Sequence, residues 1–311
     1  MSVAVGLGLM EFPFAGAGDY WRWVDLCEAG GVDSLWQTDR LVSRQPILEC
    51  MSAMAALAGR TRRMRFGMNV VSLALRDPVL LAKQCATIDV LSEGRLLPAF
   101  GIGSPLGPEW KALDIDTRTR GKRTDEGLEI IRRLWREDSV DFAGTHYRLC
   151  GASISPRPVQ SDLPMWIGGS SDAAIRRTAR FGTGWQGGAE GPADAGRIVA
   201  AVKQAATAAG RSIDDDHYGA SFPFYFGAAG DSTVAGAMAA YGKRTGRDPG
   251  RYFAIGDETA ILARIAEYVG VGVEKFIVRP VGADGEEVIA QTRRLVEKLL
   301  PLVTARWPKT G

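Results

Sequence analysis

The sequence predicts an α/β protein folded as a single (β/α)8 TIM barrel across residues 1–311, and three observations predict it. Short apolar runs alternate with longer amphipathic ones eight times along the chain. No stretch between them is richer in Pro, Gly or Ser than a loop needs, so nothing marks a domain boundary. A doubly wound sheet, the alternative, would place a GxGxxG turn after its first strand, and the residues there are Glu11-Phe12-Pro13-Phe14.

Val3 to Leu9 reads as the first strand, and Tyr20 to Ala29 repeats apolar residues at helical spacing before Gly30-Gly31 stops the first helix. Ser34 to Gln37 and Ile47 to Ala58 form the second pair, the helix rich in Ala, Met and Leu. The third strand spans Arg65 to Val71, and its helix, Pro78 to Leu91, opens with proline in the first turn. Leu96 to Phe100 and Gly121 to Trp135 are the fourth pair. An insertion follows the fourth helix: Asp138 to Pro158 reads as a small hairpin around Gly144. Met165 to Gly168 with Asp172 to Phe181, then Gly184 to Gln186 with Ala193 to Ala209, supply the fifth and sixth units. Tyr218 to Phe226 is the seventh strand, and Ala228 to Gly256 is too long for one connection, so a second insertion is expected there. Thr259 to Val269, Lys275 to Val278 and Glu286 to Val303 close the series.

Composition narrows the function. Hydrophobic residues at 46% and charged residues at 24% describe an ordinary globular chain. Lys plus Arg at 38 against Asp plus Glu at 36 leaves a net charge of +2, too little to expect nucleic acid as a partner. The four cysteines, Cys27, Cys50, Cys85 and Cys150, form no CxxC pair and read as reduced and structural. The apolar start is too short for a membrane span and lacks a basic leader, so a cytoplasmic protein is expected.

A barrel builds its active site from the carboxyl ends of its strands. Gly168, Gly169, Ser170 and Ser171 follow the fifth strand and open a helix, where small residues either admit an anion to backbone N–H groups or simply cap the helix. Gly101, Gly103 and Ser104 follow the fourth strand and read more weakly, as a turn needing positive φ. Asp39-Arg40 ends the second strand, where a carboxylate beside a guanidinium either orients a ligand or forms a structural ion pair; spacing alone favours structure. Arg76 and Arg279 carry the same ambiguity at the third and eighth strands. Trp185 offers a wall for a flat ligand, although strand aromatics are more often core. His146 and His217 lie away from strand carboxyl ends, so neither a histidine metal site nor a Ser/His triad is expected. Lys275 stands at the wrong end of its strand for a Schiff base. A barrel lacking its own base, nucleophile and metal points to a bound organic cofactor.

Four segments carry a family resemblance. Gly31-Val32-Asp33-Ser34-Leu35-Trp36-Gln37-Thr38-Asp39-Arg40 resembles the second-strand signature of luciferase-like flavin-dependent oxidoreductases. Arg76 to Asp89, Ser92-Glu93-Gly94-Arg95 to Gly103, and Ser155 to Ser171 keep the same family's motif order over nearly the whole chain. The resemblance implies a barrel that binds FMN or the deazaflavin coenzyme F-420, with a non-prolyl cis peptide against the ring, mapped to Asn69-Val70, and the phosphate arm at Gly168 to Ser171. Many relatives carry Asp-His where this chain has Asp39-Arg40, so an inherited proton-transfer role is missing there. Arg40 is expected instead to hold an anionic or carbonyl oxygen, fixed by a hydrogen-bonded pair with Asp39, making these two the candidate catalytic residues. The reading is a reduced-FMN-dependent monooxygenase of a small organic substrate, supplied by a flavin reductase. An F-420-dependent hydride-transfer enzyme and a non-catalytic flavin-binding protein are the alternatives. A homodimer is the expected assembly, without nucleic-acid or membrane partners.

Overall fold

A computed structural model describes residues 2–308. In chain order the elements are β1 (Ala4–Leu9), α1 (Ala17–Ala29), β2 (Ser34–Gln37), α2 (Cys50–Arg60), β3 (Arg65–Met68), β4 (Val71–Ser72), α3 (Pro78–Leu91), β5 (Leu96–Leu97), β6 (Ala99–Gly101), α4 (Glu109–Ala112) and α5 (Arg120–Leu134). They continue with β7 (Val140–Ala143), β8 (Arg148–Ala152), β9 (Trp166–Gly168), α6 (Asp172–Phe181), β10 (Gly184–Gln186), α7 (Pro192–Ala208), β11 (Tyr218–Phe226), α8 (Ser232–Thr245), β12 (Ala254–Gly256), α9 (Glu258–Val269), β13 (Lys275–Pro280), α10 (Gly285–Arg294) and α11 (Leu300–Arg306).

The result is an α/β fold on a curled parallel sheet, consistent with the expected barrel. β13 pairs with β1, β1 with β2, β2 with β3 and β3 with β5. β4 pairs with β6, β6 with β9, β9 with β10, β10 with β11 and β11 with β13, every pairing parallel. All nine residues of β11 are buried, as befits a strand of a parallel sheet covered on both faces.

Helix starts follow their caps. The Asp77 carboxylate accepts from the Val79 and Leu80 amides ahead of α3, with Pro78 at its first position. Glu49, Asp257 and Asp284 cap α2, α9 and α10 in the same way. The expected third strand is interrupted, because the Asn69–Val70 peptide is cis as anticipated and turns the chain between β3 and β4. Pro98, which has no N–H for the ladder, separates β5 from β6. The expected single last helix is also divided: α10 passes through a π-helical turn at Leu295–Leu299 into α11. Pro301 cannot donate to a carbonyl one turn back, and the Leu300 amide bonds instead to the Leu295 carbonyl.

Residues 138–158 carry an antiparallel hairpin, β7 with β8, outside the main sheet. Between β11 and α9 lie α8 and the short β12, which pairs with the carboxyl end of β11. Cys27, Cys50 and Cys85 are buried, Cys150 is exposed on the hairpin, and all four are free. Lys275 is buried against Asp33 at the amino end of the sheet, away from any mouth chemistry.

Candidate functional site

Side chains that point into the curl of the sheet alternate along each strand. Trp36, Leu97, Ala99, Trp166 and Ile277 form a small apolar cluster separate from the main core, with Val70 packed on it. Glycines make room for it: a Cβ at Gly67 would stand 2.6 Å from the Trp36 ring.

The Asn69–Val70 turn lies at the carboxyl end of this cluster. A Cβ at Gly101 would come within 2.5 Å of one Val70 methyl, and a Cβ at Gly168 within 3.0 Å of the other. Those two glycines therefore let Val70 stand between β6 and β9 as a half-buried apolar platform. Asn69 Nδ2 donates to Ser221 Oγ at 3.3 Å, and Gln186 Nε2 donates to the same oxygen at 3.2 Å. The two amides thus occupy both lone pairs of one hydroxyl and fix the Asn69 side of the turn.

Asp39 corrects the expected Asp39–Arg40 pair. Its buried carboxylate accepts from Arg76 Nη2 at 2.6 Å, from the Ser72 amide at 2.8 Å and from the Cys50 thiol at 3.4 Å. Arg76 also reaches Glu49 at 2.8 Å. Successive residues leave a strand end on opposite sides, and Arg40 accordingly turns to Glu109, whose carboxylate oxygens lie 3.4 Å from its Nη1. Asp39, Glu49 and Cys50 converge as a metal site would, but they converge on the Arg76 guanidinium. Burial, then the neighbouring Asp39 charge, push the Cys50 thiol well above its ordinary value, so it stays neutral.

Gly103 has φ +74, and Ser104 offers its carbonyl to Trp110 Nε1 at 2.7 Å; this loop carries Glu109, which is buried. Gly169 has φ +112, and the Ser171 hydroxyl caps α6 by accepting from the Ala174 amide. Gly169, Ser170 and Ser171 are exposed, so the turn is open as well as capped. Trp185 is not a wall of the mouth. Its neighbour Gln186 faces Ser221 and a Cβ on its neighbour Gly184 would meet Trp166, so Trp185 points the other way, fully buried, with its indole N–H on the Gly169 carbonyl at 2.8 Å.

Arg279 stands next to the end of β13 on the same face as Ile277; its Cγ would lie 3.6 Å from a Cβ on Gly8 of β1. Among the described residues its Nε and Nη2 are buried without a partner, and its guanidinium carbon lies 5.5 Å from the Tyr252 ring centre. Burial, and then the positive charge of Arg244, lower its pKa to about 10. Glu109 and this isolation of Arg279 were beyond sequence reasoning: a lone acid in a four-residue helix has no pattern, and a missing counter-ion is visible only in space.

The half-buried Val70, the open glycine turn before α6 and the polar residues near them lie together at the carboxyl ends of the parallel strands of one α/β fold. The chain belongs to the luciferase-like monooxygenase family, whose model matches residues 10–298, and hence to a family of oxidoreductases. An uncharacterized protein of Mycobacterium tuberculosis, Rv0940c, is 36% identical over 169 residues, covering 54% of this chain and 57% of the relative's own length. A protein of Microbacterium testaceum described as an F420-dependent glucose-6-phosphate dehydrogenase is 26% identical over 320 residues, covering 91% and 92% of the two chains. The crystal structure of monooxygenase RslO1 from Streptomyces bottropensis superposes with a TM-score of 0.82 at 24% identity, covering 96% of this chain and 99% of that one, which shows the shared fold. Among the described residues, no helix is long and apolar enough to cross a membrane.

Proposed function

We propose that the chain is an oxidoreductase that works on a small organic substrate with the deazaflavin coenzyme F-420. The curled sheet is read as the (β/α)8 barrel, β3 with β4 and β5 with β6 each counting as one strand. One observation carries the functional reading: Val70, set between Gly101 and Gly168, gives a flat apolar platform beside an open glycine turn at the N-terminus of α6. A flat ring and an anionic tail fit these two features together. The preference for F-420 over FMN rests on the described activity of a relative aligned over 92% of its length.

In this reading Val70 supports the ring, with Asn69 held by Ser221 beside it. Gly168, Gly169, Ser170 and Ser171 receive the phosphate arm through backbone N–H groups, while Gly101, Gly103 and Ser104 border the mouth. Trp185 acts indirectly, by fixing the Gly169 carbonyl. Asp39 holds the Ser72 amide and so positions the turn, whereas Arg40 and Glu109 stand as the polar pair facing the reacting centre. The bound deazaflavin would supply two-electron hydride chemistry, for which the chain has no group of its own.

Equilibrium titration of the purified protein with F-420 and with FMN, each oxidised and reduced, tests the assignment. Saturable F-420 binding well tighter than FMN binding is expected. Tight binding of reduced FMN with substrate-dependent oxygen uptake would replace it by the monooxygenase reading, which would also require a reductase partner. Binding of neither cofactor would overturn both.

A further inference from the structure

Among the described residues, Arg279 is a cation without an anion. Its neighbours across the sheet are Gly8 on β1 and Pro223 on β11, neither of which has a side-chain acceptor. Nε and Nη2, which together form one edge of the guanidinium, lie buried with no partner. After burial, the charge that acts on it most strongly is a second cation, Arg244, with Tyr241 opposing it more weakly. An uncompensated buried charge costs stability, and a protein keeps such a group where a ligand completes it.

Its orientation is fixed all the same. The guanidinium lies over the Tyr252 ring, Tyr252 stacks on Tyr241 at 4.8 Å and 23°, and the Tyr252 hydroxyl donates to the Gly188 carbonyl at 2.9 Å. Arg244 lies over the far ring, with its guanidinium carbon 5.9 Å from the Tyr241 centre. This aromatic stack comes from the segment between β11 and α9, and it pins the plane of Arg279 at the mouth while contributing no acceptor to its buried edge. The residue as a whole is only half-buried, so the mouth side reaches it.

We propose that Arg279 is the seat of an anionic group, a carboxylate or a phosphate, carried by the small molecule on which the enzyme acts. The planar guanidinium fork, held by the aromatic stack, can offer two N–H groups side by side to two oxygens of such a group from its exposed side. This substrate assignment rests on reading the mouth as an oxidoreductase site, but the anion seat itself is testable without any cofactor.

The probes are inorganic phosphate and benzoate, titrated at constant ionic strength into the cofactor-free protein and read by the thermal midpoint. The midpoint of the unsubstituted protein should rise with one or both anions, with chloride inert. In Arg279→Met the midpoint without anion should be higher than in the unsubstituted protein, because a buried uncompensated charge is gone, and apparent anion affinity should fall roughly tenfold to a hundredfold. Arg279→Lys should retain part of that affinity. A lowered midpoint in Arg279→Met together with an unchanged anion response would show an ordinary structural arginine and overturn the proposal. The titration is repeated with saturating cofactor. An anion response that persists supports a substrate group, whereas one abolished by the cofactor assigns the seat to the cofactor's own tail and overturns the substrate assignment. Failure of cofactor binding with the anion response intact would defeat the cofactor reading alone.

Discussion

Asp39 and Arg40 are adjacent in sequence and opposite in physical circumstance. The Asp39 side chain is 1% exposed and shares Arg76 with Glu49, while the Arg40 side chain is 38% exposed and meets Glu109 at 3.4 Å. Removing one partner of a buried pair leaves the other uncompensated, and the loss runs at about 3–5 kcal/mol. Asp39→Ala should sit at the lower end, about 3 kcal/mol in chemical denaturation, because Glu49 still faces Arg76. Arg40→Lys keeps a positive charge opposite the buried Glu109 carboxylate at the end of a partly exposed side chain, so it should cost under about 1 kcal/mol. It loses the planar fork, however, so kcat at saturating cofactor should fall by more than its thermal midpoint would suggest. Normal turnover in Arg40→Lys would remove Arg40 from the reacting centre. The sequence places both residues at the strand end correctly, but side-chain direction there depends on which neighbours arrive from α2, from the β4–α3 connection and from α4. Adjacency therefore suggested a pair that the fold does not make.

At the scale of elements, the turn between β9 and α6 joins local conformation to function. Gly169 has φ +112, and a Cβ added there would stand 3.1 Å from Ala174 Cβ. Gly169→Val should lose roughly 1–3 kcal/mol from the backbone conformation alone. Its cofactor affinity should drop further than this destabilisation accounts for, measured well below the variant's thermal midpoint, because the side chain would crowd the open face of the turn. Cofactor affinity equal to that of the unsubstituted protein would move the phosphate arm elsewhere. Long elements were legible: α3, α6 and β11 have the bounds that their caps and apolar runs imply. Short ones were not. β12 has three residues and exists only because β11 offers it an edge, and α4 has four residues stabilised by the Trp110 anchor on Ser104. The cis turn at Asn69–Val70 was legible through family resemblance, since no propensity marks such a bond.

Across the whole molecule, ion pairs distant in sequence tie the helical layer to the sheet, and their protonation sets the response to acid. Glu49 caps α2 and also reaches Arg76, which holds Asp39 under the mouth. Burial by itself would raise the Glu49 pKa, but the Ser52 amide and hydroxyl, the Met51 amide and Arg76 outweigh it and hold it at about 2. Asp33, half-buried against Lys275, is likewise held below its ordinary value despite its desolvation. For both carboxylates the unfolded chain binds protons at a higher pH than the folded one. The stability that they contribute is therefore complete above the unfolded carboxylate range and is lost as pH falls through the folded value. The Glu49 contribution should disappear between about pH 4.5 and 2. Glu49→Gln should be less stable than the unsubstituted protein at pH 7, and the difference should shrink across that interval until the two unfolding curves meet near pH 2. Urea denaturation of both proteins at half-unit pH steps reads this directly. A gap that stays constant from pH 7 to pH 2 would mean that Glu49 stabilises through packing and neutral capping rather than through its charge.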